Sequence, residues 1–421
     1  MGRRLALVSV LVLLGACGSD NRQPVDVTID TFNVALAGAF IPYEAERRQP
    51  VADAIATMDS DVVCLEEVWT QADKELIRDA AAPRFPHVVL FQNDLDTVVD
   101  DPTDQMGNIP PAPVTVPCPD IEVGNGATVT DQMNAAVDCV VENCSTIPGS
   151  DEGRTTSAGC AGSACVGAVA PLLFGDAQQQ RCYACVVTQL PTSQLKDIRA
   201  SCPEVVNQDL AFGGQNGVMI LSRYPLTNAV DWVLPGTWNR RVIVRATAEL
   251  PNGAKLDVYC NHLTPIFDDF TFPYTGQYGD GNSGAAGWEA EQLLQAQKLI
   301  DYVERTSGST PAVILGDLNA GRADESAGIV AEGQPTLDLL ESVFPAATAA
   351  SYAPLCTFCE SNPISGATSS VWIDHILLYG LESSTVQSTT RTFDENVVPV
   401  GEGELVPLSD HYGLRSVIRV P

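Results

Sequence analysis

The chain is poor in basic residues. Its 421 residues include 23 lysines and arginines against 53 aspartates and glutamates, which gives a formal net charge of −30. A nucleic-acid backbone is neutralised by many basic side chains, so this balance argues against a broad basic groove but allows a small phosphate site. The hydrophobic fraction of 45% and charged fraction of 18% are typical of globular proteins and exclude a wholly disordered chain.

Long apolar runs are also scarce. The N-terminus has two arginines followed by the apolar stretch 5–14, which is too short to span a bilayer and fits a signal peptide. This stretch ends in Leu-Gly-Ala-Cys17, which resembles the lipobox of bacterial lipoproteins, with an ordinary secretory signal as the alternative. We therefore predict a signal peptide at 1–16, lipidation of Cys17 and a linker at 17–24. The protein is expected to be exported, as an outer-membrane lipoprotein or otherwise at the cell surface or secreted.

Export allows cysteines to form disulfides. Eight cysteines lie in a stretch rich in Gly, Pro and Ser, and this even number is typical of a disulfide framework: Cys118, Cys139, Cys144, Cys160, Cys165, Cys182, Cys185 and Cys202. The spacings Cys182-x-x-Cys185 and Cys356-x-x-Cys359 would alternatively suit zinc or a redox centre, although no histidine lies near either pair.

Hydrophobic patterning predicts alternating strands and helices, which indicates an α/β protein built in layers. Strands are predicted at 27–33, 61–65, 87–91, 217–221, 241–248, 256–260, 311–315, 372–378 and 414–420, and helices at 44–58, 73–82, 131–141 and 289–305. A change in composition divides the chain into a core at 25–95 and 211–421 and a Cys-rich insertion at 96–210. Cys64 and Cys260 lie inside apolar runs and are interpreted as buried core thiols.

Polar side chains follow many of the predicted strands: Asn33, Glu67, His262, Asp317 with Asn319, Asp374, and Asp410 with His411. Each of them alone is more often a turn former, a helix cap or a structural residue. Together they supply oxygen ligands for a hard divalent cation, a base for a water nucleophile and donors for developing negative charge. This set of groups suits metal-assisted hydrolysis of a phosphoester.

The motifs and their order resemble the endonuclease/exonuclease/phosphatase superfamily, whose members include deoxyribonuclease-I-like nucleases, bacterial sphingomyelinases and inositol-phosphate phosphatases. The resemblance covers 25–95 and 211–421 and rests on Leu-Glu-Glu67, Asn-His262-Leu, Gly-Asp317-Leu-Asn319, Ile-Asp374-His and Ser-Asp410-His411. It implies a four-layer α/β/β/α sandwich that carries the disulfide-stapled insertion. It also implies a lipid-anchored, metal-dependent phosphoesterase, most simply one that hydrolyses a phosphodiester.

The resemblance implies a metal site. Asn33, Glu67 and Asp410 would lie at the cation, which is expected to be Mg²⁺, with Mn²⁺ or Ca²⁺ as alternatives. Glu66 stands where the family has Gln, so a second carboxylate is expected near the metal.

Catalytic roles follow from the same resemblance. Asp317 and Asn319 would orient the attacking water and hold a phosphoryl oxygen. His411, held by Asp374, would act as a base or phosphate contact, and His262 as the acid for the leaving oxygen. The sequence does not identify a carboxylate partner for His262.

The nature of the substrate stays open. The stretch 266–278 has five aromatic residues, which would form either a packed surface loop or an apolar lip for a lipid or nucleobase. Arg240 and Arg241 could approach an anionic substrate, although arginines at strand starts are usually solvated, and His375 is interpreted as structural. The expected partners are the phosphoester substrate, a lipid or nucleic acid, and outer-membrane lipid through Cys17, with no obligate protein partner implied. An inositol-phosphate-type phosphatase and a non-catalytic adhesion module on the same fold are alternative hypotheses.

Overall fold

In a computed structural model of the protein, two β-sheets pack face to face and helices cover their outer faces. The structure describes residues 23–91, 116–124, 126–144, 157–189, 195–204, 210–267, 272–401 and 403–421. This architecture is the predicted four-layer α/β/β/α sandwich. The predicted signal peptide and Cys17 lie outside the described residues. Among the helices that the structure describes, none is both long and apolar enough to cross a membrane.

The first sheet has the strand order β10-β13-β1-β2-β4-β3. Its strands are β1 Val25–Leu36, β2 Val62–Val68, β3 His87–Leu90, β4 Met219–Ser222, β10 Val386–Thr392 and β13 Gly413–Val420. Helices α1 (Glu44–Ala56) and α2 (Gln71–Ala81) cover its outer face through a buried apolar cluster. Because β1 and β2 are parallel and β13 is antiparallel to β1, Asn33, Glu67 and His411 lie at one edge.

The second sheet has the strand order β5-β6-β7-β8-β9. Its strands are β5 Leu226–Leu234, β6 Arg241–Glu249, β7 Lys255–His262, β8 Ala312–Asp317 and β9 Asp374–Tyr379, and its outer helices are α8 Gly284–Ser307 and α9 Gln334–Glu341. A short hairpin is formed by β11 Val398–Val400 and β12 Glu404–Val406. Since β7 and β8 are parallel and Asp317 pairs with Asp374, the polar ends of β7, β8 and β9 also meet at one edge.

A disulfide links the two sheets. Cys64 on β2 and Cys260 on β7 are both fully buried in the apolar core between the sheets, and their sulfurs are bonded. The interpretation of these residues as separate thiols was therefore wrong. The two cysteines are 196 residues apart, and the sequence alone does not show which strands face each other across a core.

The described part of the insertion is helical. It contains α3 Val129–Asn143, α4 Ser157–Ala164, α5 Val166–Leu173, α6 Ala177–Gln189 and α7 Leu195–Ser201, packed around a small core of their own. Its eight cysteines pair as Cys118–Cys182, Cys139–Cys165, Cys144–Cys160 and Cys185–Cys202. The predicted framework is thus confirmed, although the sequence predicted a single helix here. Cys356 and Cys359 are joined as well, so neither Cys-x-x-Cys pair supplies zinc ligands.

Candidate active site

A cavity of about 310 Å³ lies where the polar edges of the two sheets meet. Its lining combines charged or polar residues with aromatic ones, and the polar group consists of Glu67, Asn239, Arg241, His262, Asp317, Asn319, Glu332 and His411. Residues from strands far apart in sequence therefore share one space, as the strand-end pattern predicts.

Asp317 is the point at which the predicted catalytic residues converge. Asn33 donates a hydrogen bond from Nδ2 to Asp317 Oδ2 at 3.0 Å. The same oxygen lies 3.4 Å from His262 Nε2 and 3.7 Å from His411 Nε2. The other oxygen accepts the Asn319 backbone N–H at 2.9 Å. Burial, followed by the charge of nearby carboxylates, raises the pKa of Asp317 to about 7.

Several backbone conformations at this edge are unusual. Glu67 and Asn319 have φ values of 58° and 48°, in the left-handed region that non-glycine residues rarely adopt. Gly316 has φ 148°, and a Cβ there would lie 1.8 Å from the Asn261 carbonyl oxygen, so glycine is required for β7 and β8 to approach. Strained residues of this kind concentrate at functional sites.

His411 is paired with Asp374, as the resemblance implies. Its Nδ1 lies 2.9 Å from Asp374 Oδ2, and both side chains are buried. Burial opposes a charge on this imidazole, but Asp374 and Asp317 outweigh it and raise the pKa of His411 well above its usual value. His375 faces the other side, where Nε2 lies 2.8 Å from the Ala320 carbonyl oxygen, in keeping with a structural role.

His262 has a different environment. Burial, and then the positive charges of Arg241 and His411, lower the pKa of His262 well below its usual value. Its Nδ1 is buried and has no hydrogen-bond partner among the described residues, so the carboxylate that contacts this ring is Asp317, at Nε2. The charges of the chain therefore favour a protonated His411 and a neutral His262. The acid and base roles that the resemblance implies for these two histidines stay predictions.

Glu67 and Asp410 are suited to hold a hard cation. Burial and the neighbouring Asp410 raise the pKa of Glu67, which means that these carboxylates repel each other without a cation between them. Asp410 is buried and has one oxygen 3.2 Å from the Ser409 hydroxyl. Carboxylate oxygens are the ligands that Mg²⁺ prefers, so the donor set fits such an ion.

Asn33 orients these carboxylates. Its Nδ2 also approaches Glu67 Oε1, at 3.3 Å, while its Oδ1 accepts the Ala35 N–H at 3.0 Å. These hydrogen bonds give Asn33 a positioning role, and its ligation of the cation stays a prediction.

The described residues also include two groups of three residues that could bind a metal. Within each group, the possible ligand atoms lie within 4.8 Å of one another. In Asp317, Asp374 and His411, the imidazole is already paired with Asp374. In Cys64, Glu66 and Cys260, the sulfurs form a disulfide and cannot bind a metal.

Glu66 does not line the cavity. It is fully buried and accepts a hydrogen bond from Thr31 Oγ1 at 2.7 Å. Burial, followed by the charge of Asp374, raises its pKa well above the usual value. Glu66 is thus a second carboxyl group near the site that does not enter the cavity, and its effect on the metal stays a prediction.

Arg241 is a site residue that the sequence left open between a solvated residue and a contact for an anionic substrate. Its side chain is 2% exposed and lines the cavity, so the expectation that strand-start arginines are solvated was wrong here. Burial lowers the pKa of Arg241 to about 10, against the opposing charges of Glu67 and Asp317, so it remains a cation. Its Nε has no hydrogen-bond partner among the described residues. The feature that indicates this burial is the β6–β7 hairpin, which places the start of β6 beside the end of β7.

Aromatic residues line the cavity next to these polar residues. We call Phe40, Trp69, Phe212, Trp238, Phe267 and Phe272 the aromatic wall. Trp238 is its centre, with ring centroids 5.3 Å from Phe40 and 4.9 Å from Phe272. Phe267 and Phe272 belong to the stretch predicted as either a surface loop or an apolar lip, and they line the cavity, whereas 268–271 lie outside the described residues.

Comparisons with known proteins agree with this architecture. Residues 31–411 match the profile of the Endonuclease/Exonuclease/phosphatase family. Sphingomyelinase C from Streptomyces griseocarneus is 14% identical over 94% of this chain and 99% of its own, with a TM-score of 0.48. A magnesium-bound mutant of beta toxin from Staphylococcus aureus is 11% identical over 93% of this chain and 99% of its own, with a TM-score of 0.50. These identities show a likeness of fold alone. No curated protein sequence gives a match.

Proposed function

The chain belongs to the endonuclease/exonuclease/phosphatase family, and we propose that it is a divalent-metal-dependent phosphodiesterase. The observation that carries this proposal is the convergence on Asp317 Oδ2 of Asn33, His262 and His411. A carboxylate within reach of two imidazoles, beside a buried arginine and two more carboxylates, provides the groups that phosphoester hydrolysis requires.

The proposed mechanism assigns the proton transfers to this chain's residues. Glu67 and Asp410 would hold the cation, which supplies positive charge to a phosphoryl oxygen when bound. Asp317, in its ionised form, accepts a proton from the water that attacks phosphorus. His411 is protonated and gives its proton to the leaving oxygen as the P–O bond breaks. Arg241 neutralises the developing negative charge from the other side of the cavity.

The test compares adjacent carboxylates. Metal-depleted protein should not hydrolyse bis-(p-nitrophenyl) phosphate, and Mg²⁺ or Mn²⁺ should restore the reaction. Glu67→Gln should weaken metal binding, measured by calorimetry, and lower kcat/KM about 10³-fold. Glu66→Gln is the matched control, because Glu66 is the adjacent carboxyl group and does not line the cavity, so its rate should stay within about fivefold. Equal rates for Glu67→Gln and the unmodified protein would contradict the proposal. Absence of metal binding would favour the non-catalytic module.

The substrate that we propose is a diester with an apolar group, such as a phospholipid. The aromatic wall beside the phosphate-facing residues supports this choice, as does the scarcity of lysine. Sphingomyelin and plasmid DNA should be compared as substrates of the same preparation. Turnover of DNA alone would exclude the lipid-like substrate.

We also propose that the protein is exported and anchored through a lipid on Cys17. The lipobox-like residues support this location, and so do the disulfides, which persist in oxidising compartments. The native protein should partition into the membrane fraction, and Cys17→Ser should appear in the soluble fraction. Mass spectrometry of the N-terminal peptide would show whether Cys17 carries acyl chains, and an unmodified thiol would reject the anchor.

A further inference from the structure

The insertion contacts the segments that form the aromatic wall. Helix α6 packs against the 3₁₀ turn Ala211–Gly214, which carries Phe212. At the start of α4, the Ala158 N–H donates to the Ala39 carbonyl oxygen at 3.2 Å, next to Phe40. Two of the six aromatic residues of the wall are therefore held by segments that touch the insertion.

The turn that carries Phe212 has a demanding backbone. Phe212, Gly213 and Gly214 have φ values of 57°, 66° and 74°, all in the left-handed region. A Cβ added to Gly213 would meet no atom within 4 Å, so its glycine serves the backbone conformation and not a lack of space. A phenylalanine rarely adopts this conformation, and it persists here because neighbouring structure fixes it.

Hydrogen bonds fix the turn at both ends. The Ala211 N–H donates to the Trp238 carbonyl oxygen at 2.8 Å. Arg240 donates from Nε to the Gly214 carbonyl oxygen at 2.7 Å. Because Arg240 precedes Arg241, the turn is tied to the segment that brings the buried cation into the cavity.

The ring of Phe212 connects the turn to the reactive residues. It stacks on Trp69 with a centroid distance of 4.3 Å and an interplanar angle of 3°. The Trp69 indole has Nε1 3.4 Å from Glu67 Oε2, and its ring centroid lies 6.3 Å from that of His262. Gly217 lies just before β4, and a Cβ there would lie 2.9 Å from the Trp69 indole, so the position of Trp69 is closely defined.

We propose that the disulfide-stapled insertion determines substrate specificity, because it holds Phe212 and Phe40 in the wall that receives the apolar group esterified to the phosphate. This inference rests on the proposed function and names which part of the molecule selects the substrate. The polar half of the cavity comes from the sandwich and binds the phosphate. The apolar half depends on contacts with the insertion and binds the ester group that is retained.

The experiment uses p-nitrophenyl phosphodiesters that differ in the second ester group, which is methyl, phenyl or dodecyl. In each case water attacks phosphorus, the bond to the nitrophenyl oxygen breaks and nitrophenolate leaves with the electron pair. The unmodified protein should prefer the phenyl and dodecyl esters to the methyl ester by about tenfold in kcat/KM, mainly through KM. Phe212→Ala should lower this preference about fivefold, and Phe212→Leu should give an intermediate value.

Variants in the insertion separate its role from that of the ring. Cys118→Ala with Cys182→Ala loosens α6 and should also lower the preference for the apolar esters. Phe174→Ala removes a phenyl ring that is 58% exposed on the insertion and should leave the preference within about twofold. Circular dichroism and the melting temperature identify any variant that fails to fold, in which case Phe212→Leu provides the decisive comparison.

Two outcomes would overturn the inference, and they can be distinguished. If Phe212→Ala and Phe212→Leu lower kcat/KM equally for all three esters, the wall does not select the substrate, while the proposed function stands. If the unmodified protein shows no metal-dependent hydrolysis of any of the three esters, the proposed function fails and the inference fails with it.

Discussion

The sandwich and the insertion solve the problem of stability in different ways. The sandwich buries a continuous aliphatic core between its sheets and has one disulfide across it, Cys64–Cys260. The described part of the insertion has short helices, a small core and four disulfides. A small unit that buries little apolar area depends on covalent links for its stability, whereas a large sheet core is stabilised mainly by burial.

The same comparison bears on the two roles that we propose for the cavity. The ionisable residues around Asp317 lie on strand ends of the sandwich, where burial shifts the pKa of Asp317 and His262, and the charges of Asp374 and Asp317 raise that of His411 against burial. The wall residue Phe212 lies in a strained turn next to α6 of the insertion. The proposal therefore assigns chemistry and selectivity to regions that can change independently, and four predictions test this division.

The largest expected effect concerns the two kinds of disulfide. Cys64→Ala with Cys260→Ala opens a cross-link between residues 196 positions apart and should lower the free energy of unfolding by about 5 kcal/mol. Cys185→Ala with Cys202→Ala opens a cross-link between residues 17 positions apart and should lower the free energy of unfolding by about 3 kcal/mol. Urea unfolding followed by far-UV circular dichroism measures both changes. A greater loss of unfolding free energy for Cys185→Ala with Cys202→Ala than for Cys64→Ala with Cys260→Ala would contradict this expectation.

The next effect is on catalysis. Asp317→Asn removes the carboxylate at which both imidazoles converge and should lower kcat about 10³-fold, with KM changed much less. Asp138→Asn is the control in the insertion, where an exposed carboxylate pairs with Arg199. Its kcat should remain within about twofold, since surface pairs contribute little. Steady-state kinetics with bis-(p-nitrophenyl) phosphate decides the point, and a large loss from Asp138→Asn would place chemistry in the insertion.

A smaller effect is expected from a buried arginine beneath the site. Arg47 is fully buried on α1 and donates to the carbonyl oxygens of Pro42, Val34, Ala35 and Leu408 at 2.6–3.1 Å. Arg47→Met would leave these acceptors unpaired and should lower the free energy of unfolding by about 3 kcal/mol. Burial lowers the pKa of Arg47, while Asp410 and nearby glutamates oppose this, so the residue remains charged.

Arg181 provides the matched control for Arg47. It is exposed on α6 of the insertion, and Arg181→Met should change the free energy of unfolding by no more than about 0.5 kcal/mol. Because Arg47 connects the end of β1 to the segment that precedes Asp410, Arg47→Met should also weaken Mg²⁺ binding in the folded protein. Unchanged stability would show that the carbonyl groups find other partners.

Short apolar runs predicted α/β layers, and the four-layer sandwich was implied by the family resemblance of the polar motifs at the strand ends. Periodicity located α1, α2, α8 and most strands, since each has a buried face that repeats locally. It did not reveal the link between Cys64 and Cys260, because pairing across two sheets depends on the relative position of distant strands. The short helices of the insertion were missed for another reason: α4 and α5 are rich in Gly and Ala and have little amphipathic pattern.

Predictions for the site succeeded where a motif carried the information and failed where only packing did. The motifs around Asp317 and His411 brought together the residues that meet in the structure. The sequence left the role of Arg241 open because a charged residue at a strand start is usually solvated, and its burial follows from the β6–β7 hairpin. Glu66 was expected near the metal from its place in the motif, whereas its burial against Thr31 depends on packing.

The smallest expected effect compares equivalent helix caps in the two regions. Thr128 caps α3 of the insertion, where its hydroxyl accepts the Asp131 N–H at 3.1 Å. Thr70 caps α2 of the sandwich and accepts the Asp73 N–H at 3.1 Å. Replacing either threonine by alanine should cost about 1 kcal/mol. The two regions should differ in how much of the protein unfolds as a result, because the insertion has its own core and its own disulfides.

Hydrogen exchange of backbone amides should distinguish the two variants. Thr128→Ala should reduce protection in α3 by about fivefold and leave the amides of β1 and β2 unchanged, because the insertion opens as a local unit. Thr70→Ala should reduce protection in α2 and, to the same extent, in the strands whose exchange requires global unfolding. If Thr128→Ala also lowers protection in β1 and β2, the insertion and the sandwich form one cooperative unit, and the aromatic wall would then depend on the stability of both.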